Sequence, residues 1–163
     1  MKMLIAFVAG LIAAPLLLAA LGIVGWLPSN ATSQPPKWES SIGMRSLDAS
    51  LEKRSRALTN PIATNDSAAL AAGRKLYADN CAGCHGSARG PSDWGAKGFY
   101  PRAPQFFQEG SDVTQPEAYA AIRDGIRYSG MGAWRDLMKE DDMWKVAHFV
   151  ASLHGKNGMK DAD

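Results

Sequence analysis

Cys81, Cys84 and His85 form a C-x-x-C-H run, and the sequence contains no other cysteine. Two thiols separated by two residues lie close together on the first turns of a helix, so both can form thioether bonds to the vinyl groups of one porphyrin. The imidazole of His85 can then bind the iron, and the small residues around the cysteines leave room for a flat macrocycle. The run therefore predicts a covalent attachment site for one haem c.

Three other functions of paired cysteines fit the sequence less well. A thioredoxin-like dithiol needs a strand-rich α/β setting, and the flanking sequence has little strand pattern. A zinc site needs four ligands, whereas His148 and His154 are six residues apart on a predicted helix and so lie on different faces. A disulfide between Cys81 and Cys84 would close too small a loop to stabilise the fold through chain entropy.

Once His85 binds the iron, the sixth ligand decides the chemistry, and a methionine sulfur favours ferrous iron and outer-sphere electron transfer. Met131 lies between two glycines in a turn-like segment, residues 128–134, where the backbone can approach a haem closely. Met138 and Met143 border or occupy a predicted helix and are interpreted as core residues, and Met159 lies in the C-terminal tail. We therefore predict Met131 as the second iron ligand. The alternative is that Met131 only packs and leaves the iron open or bound by a second histidine.

Length and composition limit the architecture and the partners. At 163 residues the chain has room for one domain plus extensions, and neither cysteine is free for a disulfide framework. The net charge is only +2 and the sequence has no basic stripe. We therefore expect neither nucleic-acid binding nor docking through strong electrostatic steering.

The N-terminus carries an uncharged run from Leu4 to Leu27. As a helix this run would measure about 36 Å, enough to cross a membrane, and it is longer than the apolar core of most secretory signals. Pro15 is tolerated in a membrane span, and Trp26 has the position of an interfacial anchor. We predict a transmembrane anchor over residues 1–27. The alternative is a signal peptide cleaved near Ser29-Asn30-Ala31, and both interpretations imply export.

Residues 28–64 are rich in serine, proline and charged side chains and are predicted to form a linker. Within it, Leu47, Leu51 and Leu58 have the spacing of one helical stripe, which predicts a short amphipathic helix that ends before Pro61. Three interpretations stay open for this segment. It lies on the membrane surface, docks on a partner subunit, or is mostly disordered.

Residues 65–163 are predicted to form the globular domain, because helical periods recur there and alternating strand patterns are nearly absent. Asp66 or Ser67 can cap a first helix that runs to about Asn80. The stretch from Gly86 to Gly110 has many glycines and prolines and no sustained period, which predicts a long loop. A large apolar cofactor would give such a loop a reason to be ordered.

Two further helices complete the domain. Thr114 and Glu117 form a capping box that opens a helix predicted to end before Gly130. Acidic residues at Glu140–Asp142 suit the positive end of a final helix, which Gly155 stops. The expected core positions on these helices are Tyr119, Ile122, Ile126, Met143, Val146, Ala147, Val150 and Leu153. The sequence thus predicts an all-α domain of three to four helices around one haem, preceded by a single transmembrane helix and a linker.

From Asn65 to Gly155 the chain resembles a class I monohaem cytochrome c domain, in which a C-x-x-C-H motif is paired with a downstream methionine. The resemblance implies that the first and last helices of the domain cross. The crossing should bring the face of Gly73 and Tyr77 near Val146 and Phe149.

The resemblance also implies how the iron ligands are supported. A proline carbonyl after the motif should accept the ring N–H of His85, and Pro104 fits best, with Pro101 in reserve. The segment around Met131 should supply the sulfur. Many relatives have Met-Pro where this chain has Met131-Gly132, which implies a less rigid ligand loop here.

The hypothesis from the sequence is a membrane-anchored electron-transfer protein, not an enzyme, that passes single electrons between redox partners. Resemblance to c-type cytochromes implies that its haem domain lies on the periplasmic side of a bacterial cytoplasmic membrane. Two alternatives stay open: a fixed haem c subunit of a larger respiratory or photosynthetic membrane complex, and a haem protein that reacts with peroxide or another small ligand. The predicted haem surroundings are the apolar side chains of Phe106, Phe107, Ile122 and Trp134, and the propionate candidates are Arg102, Arg127, Tyr128 and Trp134.

Overall fold

The computed structural model describes residues 1–155 and shows an all-α protein. Within that range no strand forms, and the only β contacts are two isolated bridges. The helices are α1 (Lys2–Ile23), α2 (Lys37–Ser55), α3 (Ser67–Asn80), α4 (Ala82–His85), α5 (Asp93–Lys97), α6 (Phe106–Glu109), α7 (Gln115–Asp124) and α8 (Glu140–Ser152). Residues 1–33 form one compact unit, and a second begins at Gln34. Met159 and the end of the predicted domain lie outside the described residues.

α1 is an apolar helix with Pro15 in its interior. Its 22 residues span about 33 Å, which matches the hydrocarbon layer of a membrane. The helix ends at Ile23, four residues earlier than the apolar run, and Gly25 follows with a φ of +77°. By length and composition α1 satisfies both the anchor and the signal-peptide interpretations.

The crossing of α3 and α8 forms the centre of the second unit. Gly73 permits the close approach, because a Cβ there would lie 2.7 Å from the carbonyl carbon of Lys145 and nearer still to its oxygen. Beside it the rings of Tyr77 and Phe149 pack with their centroids 5.2 Å apart. The Asp66 side chain caps α3 by accepting from the amide of Ala69 at 2.9 Å. The predicted crossing is confirmed.

α7 packs against α8 and begins with the predicted capping box. Both the backbone amide and the hydroxyl of Thr114 donate to Glu117, at 2.8 and 2.7 Å. The helix ends before Gly130, as predicted, but the prediction that Ile126 belongs to its apolar stripe is wrong. α7 ends at Asp124 because Gly125 adopts a φ of +68°, so Ile126 lies outside the helix and not on its apolar stripe.

The segment from Gly86 to Gly110 was predicted to be an unbroken loop, but it contains α5 and α6. Ser92 caps α5 by accepting from the amide of Gly95 at 3.0 Å, and Gly110 ends α6 with a φ of +81°. Helices of four or five residues are little more than one turn. They produce no repeating hydrophobic period, so the pattern could not reveal them.

α2 is longer than the short helix predicted in the linker, and it packs on α7 of the same chain. Leu51 is only 4% exposed in this contact, whereas Leu58 lies beyond the end of the helix. None of the three interpretations of the linker included docking on its own domain. α2 contains Leu47 and Leu51 of the predicted stripe, and Leu51 packs on α7, a partner surface that the sequence did not identify.

Candidate haem site

The C-x-x-C-H motif lies where α3 passes into α4. Cys81 ends α3, and the amides of Cys84 and His85 donate to its carbonyl oxygen at 3.1 and 2.9 Å. Gly86 then ends the turn with a φ of +74°. The hydroxyl of Tyr77, buried on α3, donates to the carbonyl oxygens of His85 and Gly86, which lie 3.1 and 3.0 Å away. The two thiols therefore sit one helical turn apart on a segment fixed to the core.

The imidazole of His85 is held in one tautomer. Its Nδ1 lies 2.9 Å from the carbonyl oxygen of Pro104, and since a carbonyl can only accept, Nδ1 must carry the proton. Burial lowers the pKa of His85, against the opposing effect of the Pro104 hydrogen bond, so the ring is neutral at neutral pH. Nε2 is left with a free lone pair, which is what a metal ligand requires. The ring of Phe106 stacks on the imidazole at 4.9 Å between centroids.

Cys81 is a partly buried thiol that packs against the hydrophobic core. Burial, with a smaller contribution from the nearby Cys84, raises its pKa to about 12. Because thiolates are the reactive form, this environment does not favour a redox-active dithiol, which needs a lowered thiol pKa. The position of Cys81 against the core is consistent with a thioether bond to a haem that packs on the same core.

Gln105 supports the motif and was missed by the sequence interpretation. Its side chain is only 2% exposed, and its Nε2 donates to the carbonyl oxygens of Cys84 and Ala103 at 3.0 and 2.8 Å. Its Oε1 accepts from the amide of Ser92 at 2.7 Å. Gln105 thus joins the turn that carries the C-x-x-C-H motif to the segment that positions Pro104. A polar residue between Pro104 and two phenylalanines was the one available signal.

Gly95 on α5 lies close to the backbone of Cys84 in the motif. A Cβ at this position would lie 2.5 Å from the carbonyl carbon of Cys84 and 2.8 Å from its Cα. The hydroxyl of Ser92 also donates to the carbonyl oxygen of Gly83 at 2.5 Å. α5 therefore packs directly on the backbone of the turn that carries the C-x-x-C-H motif. This contact explains why residues 93–97, which the sequence predicts as loop, form an ordered helix.

Met131 lies in a loop that joins α7 to α8, here called the Met131 loop (residues 125–134). The loop closes on itself, because the Ile126 amide donates to the Met131 carbonyl oxygen and the Trp134 amide to that of Ile122, both at 3.0 Å. The Met131 amide donates to the hydroxyl of Ser129 at 3.1 Å. The Met131 side chain is half-buried against the same core as Cys81.

The other predicted site residues fall into two groups. Phe106 and Trp134 pack against the core as Met131 does, and Phe107 is buried between the rings of Tyr77 and Phe149. Arg102 pairs with Glu109 at 2.7 Å, and Tyr128 is 88% exposed with a φ of +61°. The structure therefore brings the cysteines, His85, Pro104 and Phe106 into one site, and the propionate roles stay predictions.

The donor set fits a covalently bound haem. Two thiols one turn apart can form the thioether links, and His85 supplies a neutral imidazole nitrogen on the same turn. Met131 would supply a soft thioether sulfur from a loop that packs against the same core. The residues present fit a haem held by the two cysteines and bound through one nitrogen and one sulfur, and the roles assigned to them stay predictions.

Comparison with known families gives an independent match over the second unit. The family described as cytochrome c oxidase, cbb3-type, subunit III matches residues 68–150. This region runs from the start of α3 to near the end of α8 and contains both the C-x-x-C-H motif and Met131.

Individual relatives agree with this match. The cbb3-type cytochrome c oxidase subunit CcoP of Azospirillum sp. (strain B510) is 34% identical over 100 residues, which cover 54% of this chain and 32% of that protein. The CcoP subunit of Cereibacter sphaeroides is 33% identical over 92 residues, 56% of this chain and 30% of that protein. The chain thus spans about a third of the length of the curated relatives it matches.

Among solved structures, cytochrome cL from Methylophaga aminisulfidivorans aligns with a TM-score of 0.42 at 21% identity, covering 56% of this chain and 57% of that one.

Proposed function

Since the chain belongs to the cbb3-type cytochrome c oxidase subunit III family, we propose that it is a haem c electron-transfer subunit of a membrane oxidase complex. The observation that carries the proposal is the Nδ1–H bond from His85 to Pro104, which leaves Nε2 free on the same turn as the two thiols. Of the two electron-transfer hypotheses, the family supports the fixed subunit over the free carrier.

In this function each group of the site has a defined task. Cys81 and Cys84 hold the haem through two thioether bonds, and the motif has cysteines for one haem only. His85 binds through Nε2, with its orientation fixed by Pro104, and Met131 binds through its sulfur. The haem supplies one-electron redox chemistry when bound. The surrounding protein would exclude water and set the reduction potential through burial and through the residues that bind the iron.

We also propose the arrangement of the chain. α1 anchors the protein in a bacterial cytoplasmic membrane by a single pass, and the domain from residue 65 lies on the periplasmic side. The apolar length of α1 and the membrane-bound nature of an oxidase complex support this arrangement. The redox donor and acceptor are then neighbouring proteins of the same membrane face.

The axial ligand is tested by comparing Met131→Leu with Met138→Leu in the haem-loaded protein. Both methionines are half-buried against the same core, so both changes alter packing to a similar extent. We expect Met131→Leu alone to abolish the absorption of the sulfur–ferric iron bond and to lower the reduction potential. An unchanged spectrum in Met131→Leu would refute the ligand assignment.

The complex is tested by mild detergent extraction from native membranes. We expect the unaltered chain, detected by haem staining, to migrate with large oxidase subunits. The double variant Cys81→Ser/Cys84→Ser should give no covalent haem stain. Migration as a small isolated species would instead support the membrane-anchored free carrier.

A further inference from the structure

α2 lies outside the region that matches the family, yet it contacts the base of the Met131 loop. Leu51 is buried in the contact of α2 with α7. One turn further on, Nη1 of Arg54 donates to the carbonyl oxygen of Gly125 at 3.3 Å and lies 3.7 Å from Asp124 Oδ2. An element outside the matched region thus contacts the residues where α7 ends and the loop begins.

Gly125 is tightly coupled to the backbone of Met131. It has a φ of +68°, and a Cβ there would lie 2.8–2.9 Å from backbone atoms of Met131, Gly132 and Ala133. The next residue, Ile126, donates its amide to the Met131 carbonyl oxygen. The position of Gly125 therefore constrains the backbone of residues 131–133, which includes Met131.

Asp124 links both ends of the same loop. Arg123 precedes it and binds both of its carboxylate oxygens, and Arg135, which follows the loop, binds Oδ1. The amide of Arg135 also donates to the Arg123 carbonyl oxygen at 3.3 Å. Among the partners found for Asp124 in residues 1–155, Arg123 and Arg135 flank the Met131 loop, whereas Arg54 comes from α2.

We propose that Arg54 is a positioning residue through which α2 holds the Met131 loop in the shape that presents its sulfur. This inference rests on the proposed role of Met131 as an iron ligand. The Arg54 side chain is 27% exposed and that of Asp124 is 14% exposed, so the contact is partly shielded from water. Departure of Arg54 would leave the Gly125 carbonyl without this donor and would loosen the base of the loop.

The test compares Arg54→Gln with Arg56→Gln in the full-length, haem-loaded protein. Arg56 is the matched control, because it directly follows the last residue of α2 and pairs with Glu52 at the surface, with its side chain 70% exposed. Added imidazole competes with Met131 for ferric iron. We expect Arg54→Gln to raise the apparent imidazole affinity by about fivefold, in the range of one partly shielded charged hydrogen bond, and Arg56→Gln to leave it unchanged. Arg54→Lys should give an intermediate value, because an ammonium lacks the guanidinium fork.

Hydrogen exchange supplies a second readout that does not depend on the iron. We expect the amides of Ile126 and Trp134 to exchange about tenfold faster in Arg54→Gln, with those of α3 and α8 unchanged. Equal acceleration in the loop, α3 and α8 would assign Arg54 to global stability and overturn the proposal. So would the absence of any difference between Arg54→Gln and Arg56→Gln in loop exchange. If the unaltered protein shows no sulfur–iron absorption, the ligand role of Met131 fails, and loop exchange still decides the role of Arg54.

Discussion

Replacement of Gly73 by alanine should destabilise the domain although alanine is the better helix former. The new Cβ would lie 2.7 Å from the carbonyl carbon of Lys145 and 3.1 Å from the Cβ of Phe149, so α3 and α8 would have to separate by on the order of 1 Å. Overpacking of this kind costs about 3 kcal/mol, and the gain in helix propensity returns about 1 kcal/mol. The expected net loss of about 2 kcal/mol lowers the Tm by roughly 8 °C.

Gly43 provides the matched control for this prediction. It also lies inside a helix, α2, but a Cβ there would meet nothing within 4 Å. Gly43→Ala should therefore raise the Tm by roughly 2–4 °C, through helix propensity alone. Thermal unfolding of the haem-loaded proteins, followed by circular dichroism, measures both changes. A Tm for Gly73→Ala at or above that of the unaltered protein would show that the two helices are not in the close contact described.

Two further predictions concern buried polar groups. Gln105→Leu should lower the free energy of unfolding by about 2–3 kcal/mol in urea titrations, because it leaves the Cys84 carbonyl and other buried groups without partners; Gln108→Leu, which removes one such bond, should cost about 1 kcal/mol. The hydrogen bond from Arg123, helped by Arg135 and Arg54, lowers the pKa of Asp124. The ionised Asp124 carboxylate therefore stabilises the fold fully above the unfolded pKa of about 4, and this stabilisation is lost as the pH falls through the lower, folded pKa. We compare the free energy of urea unfolding at pH 6 with that below pH 4. Acidification should lower this free energy less in Asp124→Asn than in the unaltered protein. Equal decreases in both proteins would contradict the stabilising role of the Asp124 carboxylate.

The parts of the fold that the sequence predicted are those with a local chemical signal. Asp66 and the Thr114–Glu117 pair cap helices through contacts with residues three positions away, so their effect can be read from adjacent letters. The C-x-x-C-H run has the same local character. The all-α class followed from helical periods that are long enough to repeat.

The parts that the sequence did not predict depend on contacts between distant residues. Gln105 acts through Cys84, which lies 21 residues away, and Arg54 acts through Gly125, which lies 71 residues away. α7 stops at Gly125 because that glycine adopts a φ of +68° and packs against the backbone of residues 131–133, a reversal of the chain that the helical period does not reveal. A glutamine between apolar residues is a weak signal that does not name its partners, and one arginine among several in a linker has no distinguishing feature until the fold is known.

The docking of α2 changes what the linker can do. If residues 28–64 were an extended tether, they could reach at most roughly 130 Å, which would suit a domain that shuttles between partners. With α2 held on the domain, only residues 24–36 remain between α1 and the docked helix, and they can reach at most about 45 Å. If α1 spans a membrane, this connection keeps the docked domain within about 45 Å of the end of α1. In the proposed function the redox partners therefore have to meet the domain close to the membrane surface, because the linker cannot carry the domain further out.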